Sequence, residues 1–293
     1  MQRDSRRTAF VLAGGGSLGA VQVGMLSALV ERGVRPDLVV GSSVGALNGA
    51  YFAGRPDREG VGSLARIWRG LSRRDVFPLS PLRTLLGLIS RRSHLVDPGA
   101  LRNLARDHLG FSELEQAATP LLVVATDLVD GSEVVLSRGS AADAVLASAA
   151  IPGIFPPVRI GRLQVVDGGI ANDTPISVAL AHGADRVVVL PTGISCALNR
   201  PPPSAVGLAL HAIGLLVARQ LVTAFERYAG RAQLTVVPPL CPLPVSPVDF
   251  GRSDEMMRAA RLSTLRWIDG GGLEVCGLPH EARPHRHDLG GAA

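Results

Sequence analysis

Apolar residues fall into runs of two lengths along this chain, and their alternation predicts an α/β fold. Arg7 to Ala13 is a strand-length run that stops at a cluster of glycines. Leu18 to Arg32 is apolar over a helical length and closes at Gly33, a residue suited to a helix C-terminus. Asp37 to Val40 is a second short apolar run, followed by the tight turn Gly41 to Gly45 and a helix of small residues through Ala53. Strand, helix, strand, turn and helix in that order are the start of a central, mostly parallel sheet flanked by helices.

The pattern then loosens. Residues 60–110 are helical in character but interrupted by Pro78, Pro81 and Pro98, and read as a cap-like insertion. Pro120 to Thr126 and Glu133 to Ser137 return to strand around an Asp130-Gly131 turn, and Ala141 to Ala149 is a helix. Val158 to Ile160 and Leu163 to Val166 form a hairpin with Gly161-Arg162 at its tip. Pro175 to His182 is a helix and Arg186 to Leu190 a buried strand, which completes a core over 7–190. An extension over 191–277 holds a long helix to Tyr228, a strand from Leu234 to Val237 and a helix from Asp254 to Ile268. The Pro, His, Arg and Gly of 278–293 predict a disordered tail. Elements follow one another closely, so one domain is expected.

Composition narrows the class of protein. Of 293 residues 46% are hydrophobic and 19% charged, a globular balance. All basic side chains other than His are Arg, spread along the chain with a net charge of +5. Nucleic acid would need a basic stripe interleaved with aromatics, and aromatics are only 4%. Attraction to anionic lipid headgroups fits the charge better. Cys196, Cys241 and Cys276 are odd in number and lie in no metal-like spacing, which predicts reduced thiols, a cytoplasmic setting and no metal site.

Arg6 and Arg7 stand before an uncharged run from Thr8 to Val30, as in an export signal or a membrane span. Gly14, Gly15, Gly16 and Gly19 interrupt that run, and a buried strand, glycine loop and helix account for the same residues. The apolar stretch Ala205 to Ala218 is too short to span a bilayer and contains His211.

Three segments carry candidate chemistry. Gly41-Ser42-Ser43-Val44-Gly45 is a G-x-S-x-G turn between strand and helix. Such a turn lifts a serine hydroxyl clear of the sheet and aims a helix N-terminus at it. Gly14-Gly15-Gly16-Ser17-Leu18-Gly19 matches a dinucleotide-binding fingerprint, but the acidic residue that site needs at the end of the second strand is missing, because Asp37 stands at its start. Consecutive glycines instead expose backbone N–H groups, as an oxyanion hole requires. Asp167-Gly168-Gly169 follows an apolar strand; taken alone it is either a turn or a carboxylate placed to meet a serine on a neighbouring strand.

Together and in this order the three segments resemble the patatin-like phospholipase family. The resemblance runs over most of Phe10 to Leu190. It includes Ala147-Ser148-Ala149-Ala150-Ile151-Pro152-Gly153-Ile154-Phe155-Pro156-Pro157 and the Asn172 to Pro175 segment. It implies a single three-layer patatin-like domain, with Ser43 as nucleophile and Asp167 as its dyad partner. Gly14, Gly15 and Gly16 become the oxyanion loop, supported by Gly19, Gly41, Gly45, Gly168 and Gly169. The implied reaction is hydrolysis of lipid acyl esters through an acyl-enzyme, with no cofactor and no metal. The family often has Arg or Lys two residues after the third glycine; Leu18 stands there.

Two alternatives remain at this point. A Ser-His-Asp esterase would need a histidine after Asp167, and His182, His211, His280, His285 and His287 all fall in helices or in the tail. A catalytically silent lipid-binding or regulatory protein of the same fold would not need Ser43, Asp167 and the glycine loop intact. Leucines and isoleucines beside paired arginines (Arg66 and Arg69, Arg73 and Arg74, Arg91 and Arg92) read either as a solvated surface or as a cap making peripheral contact with the inner membrane surface. Nothing in the pattern sets an oligomeric state.

Overall fold

A computed structural model describes residues 6–76, 94, 96–198, 200–203, 205–285 and 287. Its sheet contains β1 Thr8–Leu12, β2 Leu38–Ser42, β3 Leu121–Asp127, β4 Glu133–Leu136, β5 Val158–Ile160, β6 Leu163–Asp167, β7 Arg186–Leu190 and β8 Gln233–Val236. The order is β5-β6-β3-β2-β1-β7-β8, with β4 on β3. β3, β2, β1, β7 and β8 run parallel, and β4, β5 and β6 are antiparallel additions. The mostly parallel sheet and both hairpins agree with the sequence pattern.

The helices are α1 Gly19–Glu31, α2 Val44–Gly54, α3 Arg58–Gly70, α4 Arg73–Val76, α5 Gly99–His108, α6 Ala141–Ser148, α7 Gly169–Asn172, α8 Ile176–Ala181, α9 Ala205–Tyr228 and α10 Ser253–Asp269. Period-two geometry divides the strand residues between them. Phe10 and Leu12 of β1 face a core shared with α1, α2 and α10, while Ala9 and Val11 face one shared with α8 and α9. Covered on both faces, the parallel strands read as continuous apolar runs. α10 crosses α1 at Gly24, where a Cβ would collide with the Met257 carbonyl.

The register of β3 brings distant segments together. Val124 pairs with Ser42 on one edge and Val135 on the other; one residue on, Ala125 pairs with Asp167 and Val134. Since β4 keeps to one edge, β6 continues along the edge where β2 ends. Asp167 therefore lies one ladder step beyond Ser42.

Three expectations need adjustment. β2 runs to Ser42 rather than Val40, because β1 and β3 pair with it up to Gly41 and Ser42 respectively. The tail is ordered further than its composition suggests: 280–282 form a helical turn with Ala282 buried, and His285 and His287 sit against Cys241. The apolar stretch from Ala205 belongs to a longer helix. Its Gly207–Tyr228 portion spans 22 residues and holds an 18-residue window of mean hydropathy 1.6, long and apolar enough to cross a membrane by length and composition. In the insertion, Pro78, Pro81, Arg91 and Arg92 lie outside the described residues; Arg69 pairs with Asp254 at 2.7 Å and Arg66 donates to Ser63.

Candidate active site

Ser43 occupies the corner between β2 and α2 with φ 53 and ψ −126, the one non-glycine with positive φ among the described residues. That conformation costs on the order of 1–3 kcal/mol and persists only where its surroundings enforce it. Here the Ser43 N–H donates to Ser148 Oγ at 2.8 Å, and Ser148 Oγ in turn donates to the Val124 carbonyl at 2.5 Å. Gly45 is indispensable to the corner, since a Cβ there would strike the Leu12 carbonyl at the end of β1. Gly41 likewise leaves no room for a side chain against the first turn of α2.

Ser43 Oγ donates to Asp167 Oδ2 at 2.7 Å, and both residues are buried. Asp167 Oδ1 accepts the Gly169 N–H at 2.8 Å, and its carbonyl accepts from Thr126 Oγ1 at 2.8 Å. Gly168 passes between Val124 and Ser42, too close to either to carry a Cβ. Burial pushes the Asp167 carboxyl up to about 6, against the opposing pull of the hydrogen bonds from Ser43 and Gly169. A carboxylate raised in this way is a better base than an ordinary aspartate and is still ionised at neutral pH.

The glycine bend lies opposite. Gly15 and Gly16 line a cleft together with Ser43 and Asp167, and no acceptor engages their N–H groups among the described residues. Gly14 departs from the expectation of three exposed donors. Its N–H is given to Asp173 Oδ1 at 3.2 Å, and its carbonyl accepts Thr192 Oγ1 at 2.7 Å. Gly14 is thus pinned within the bend, and its N–H is already engaged. Gly19 packs against Val44 and Trp68, and Leu18 is buried, so an apolar residue suits that position.

Sequence reasoning missed several supporting side chains. Asp173 is 1% exposed and shares the site with Asp167. Burial, and secondarily the Asp167 charge, pushes its carboxyl up to about 8, so it is mainly protonated at neutral pH. Gln22 Nε2 bridges the Ala13 and Leu190 carbonyls at 2.7 and 2.9 Å, tying the ends of β1 and β7 beneath the bend. Asn48 donates to Gln22 Oε1 and accepts from Trp68 Nε1, each at 2.9 Å, which completes the buried network. A polar residue inside an otherwise apolar helix, such as Gln22 in α1, was the available signal.

Two hollows meet at Ser43. One, of about 60 Å³, is almost wholly apolar and is walled by Leu47, Trp68, Leu101, Leu104, Phe155 and Phe250. The other is a cleft of about 320 Å³ between the bend, α7 and α9. No histidine hydrogen-bonds Ser43 or Asp167 among the described residues; His211 lies in the cleft wall, and His182 Nδ1 is within 2.8 Å of the Val178 carbonyl. The expectation of no metal-like grouping, drawn from linear spacing, is corrected by the fold, which gathers Cys196, Cys241, His285 and His287.

The fold and this corner define an α/β protein with a serine on a strand-to-helix elbow facing a buried carboxylate. The family model for Patatin-like phospholipase matches residues 10–180, and the chain belongs to that family. An uncharacterized NTE family protein of Mycobacterium tuberculosis is 32% identical over 188 residues, covering 64% of this chain and 49% of the relative. Patatin-like phospholipase domain-containing protein 7 of Mus musculus is 32% identical over 189 residues, 63% of this chain and 13% of that protein. The chain thus spans about half the length of the mycobacterial relative and far less of the murine one. Human GIVD cytosolic phospholipase A2 shares the fold, with TM-score 0.52 at 13% identity, over 94% of this chain and 61% of that structure.

Proposed function

We propose that the chain is a serine acyl-ester hydrolase acting on lipids, of phospholipase A, lysophospholipase or esterase type. The observation that carries the reading is the 2.7 Å hydrogen bond from Ser43 Oγ to a buried Asp167 whose carboxyl stands near 6. Asp167 takes the Ser43 proton as Oγ attacks the ester carbonyl, and the oxyanion forms against the Gly15 and Gly16 amides. The proton passes to the leaving alcohol, which departs to leave a seryl ester. Asp167 then accepts a proton from water, the hydroxide equivalent attacks that ester, and the fatty acid leaves as Oγ is reprotonated. The apolar hollow suits an acyl chain, and the larger cleft suits the remainder of the lipid.

The decisive test is labelling of the tag-free chain by a fluorophosphonate with an alkyl tail, alongside turnover of phospholipid and monoacyl esters. Wild type should be labelled and active, and Ser43→Ala should be neither. A folded wild type that resists the probe and releases no fatty acid would fit a silent lipid-binding protein instead.

A further inference from the structure

Away from the dyad, three segments distant in sequence converge on one spot. Cys196 lies in the loop after β7 and Cys241 in the loop after β8, while His285 and His287 follow the 280–282 turn. Their ligand atoms all lie within 4.8 Å of one another. Cys241 Sγ is 3.1 Å from His285 Nε2 and 3.0 Å from His287 Nε2, and the two ring nitrogens are 3.0 Å apart. A zinc tetrahedron with Zn–S near 2.3 Å and Zn–N near 2.05 Å has edges of about 3.3–3.8 Å. Opening the separations among Cys241, His285 and His287 by a few tenths of an ångström would admit the ion.

The surroundings favour ligation. His285 Nδ1 is 2.7 Å from the Arg283 carbonyl, which can only accept. The ring proton therefore sits on Nδ1, and the Nε2 lone pair points into the cluster. The Leu243 N–H donates to Cys196 Sγ at 3.4 Å, an interaction that strengthens when the sulfur is a thiolate. Two thiolates and two neutral imidazoles balance a divalent cation, which suits a half-buried position. Mixed sulfur and imidazole donors select zinc over magnesium or calcium, and four protein ligands leave no open position for hydrolytic chemistry.

We propose that Cys196, Cys241, His285 and His287 bind one structural Zn²⁺ that fastens the C-terminal segment to the loops behind the cleft. Binding replaces the two thiol protons, which leave to solvent. The position gives the ion a task. Cys196 directly follows Ile194 and Ser195, which with Thr192 and Gly193 form one wall of the cleft, and Thr192 holds the Gly14 carbonyl. The metal would thus anchor the wall that supports the glycine bend.

The test uses the tag-free full chain, purified under thiol reductant and dialysed against metal-free buffer. Elemental analysis should find about one zinc per chain, lost in Cys241→Ser and in His287→Ala. Cobalt(II) should replace the zinc and give visible bands of tetrahedral thiolate coordination, absent from both variants. His287→Ala lies beyond the packed elements, and its near-ultraviolet circular dichroism serves as the control for folding. The proposal is overturned if the reduced chain takes up neither zinc nor cobalt. It also fails if folded His287→Ala keeps full stoichiometry, or if Cys196 and Cys241 are isolated as a disulfide that zinc-binding assays leave unmetallated after reduction.

Discussion

At the scale of single residues, the site is governed by two carboxyl groups raised by the same burial to different degrees. Asp167, near 6, is ionised at neutral pH, and Asp173, near 8, mainly carries its proton. If Asp167 is the base, kcat/KM should rise with pH through about 6 and then level, and Asp167→Asn should fold yet lose at least about a hundredfold in kcat. A pH–rate profile with full activity at pH 4.5, or an active Asn variant, removes Asp167 from that role. Asp173 makes a separate prediction about stability. Its folded pKa lies above the ordinary value of about 3.9, so the folded state binds the proton more tightly than the unfolded chain does. Stability from this group is complete below that ordinary value and declines as pH climbs toward 8. Asp173→Asn keeps an acceptor for Gly14 and has no proton to lose. Its Tm should exceed that of wild type at pH 8 by on the order of 5 °C, and the gap should close at pH 4. Thermal melts in which the Asn variant is no more stable at pH 8 would show that the carboxyl costs nothing there.

At the scale of elements, the bend and the elbow depend on a side-chain network buried between three helices. Asn48 of α2 joins Trp68 of α3 to Gln22 of α1, and Gln22 holds the ends of β1 and β7. Asn48→Ala would leave the Trp68 N–H and the Gln22 carbonyl oxygen without partners in a dry interior. A loss of about 2–4 kcal/mol is expected in urea unfolding, and a loss below 1 kcal/mol would mean the network is replaceable by water. α5 contributes Leu101 and Leu104 to the apolar hollow. Leu104→Trp should lower kcat/KM for a long-chain ester by about tenfold while sparing an acetate ester. Equal effects on both would place the acyl chain elsewhere. Strands, hairpins and helices were legible because sheet burial turns them into uninterrupted apolar runs, and the serine turn was legible because glycine must flank it. Asp173, Ser148 and the cysteine–histidine cluster were not. Ser148 resembles any small residue of an apolar helix until the register of β3 sets it under Ser43. The cluster exists only after loops some 45 residues apart have folded together.

At the scale of the whole molecule, the question is how a lipid would reach a cleft whose floor is buried. Exposed apolar side chains gather at its mouth: Ile213, Leu215 and Leu216 of α9 and Ile170 of α7 line the cleft while 43–62% exposed. The adjoining Leu208 is 52% exposed, and only 12% of the most apolar window of α9 is buried in the fold. An apolar rim of this kind is out of place in water and suited to the boundary of a lipid layer. α9 is also tied to the site, since Gln220 accepts the Asp173 N–H and donates to the Gly169 carbonyl, both at 3.0 Å. A helix seated at the interface would therefore hold the cleft open toward the lipid. Arg219 in the same helix and the net charge of +5 add attraction to anionic headgroups. Leu208→Glu with Leu216→Glu should cut co-sedimentation with anionic vesicles and slow release of fatty acid from them by about tenfold or more. Turnover of a monomeric short-chain ester should stay within about twofold, because the dyad and bend are untouched. Loss of both activities together would make α9 a structural support, and unchanged vesicle binding would remove this face of α9 as a lipid-binding surface.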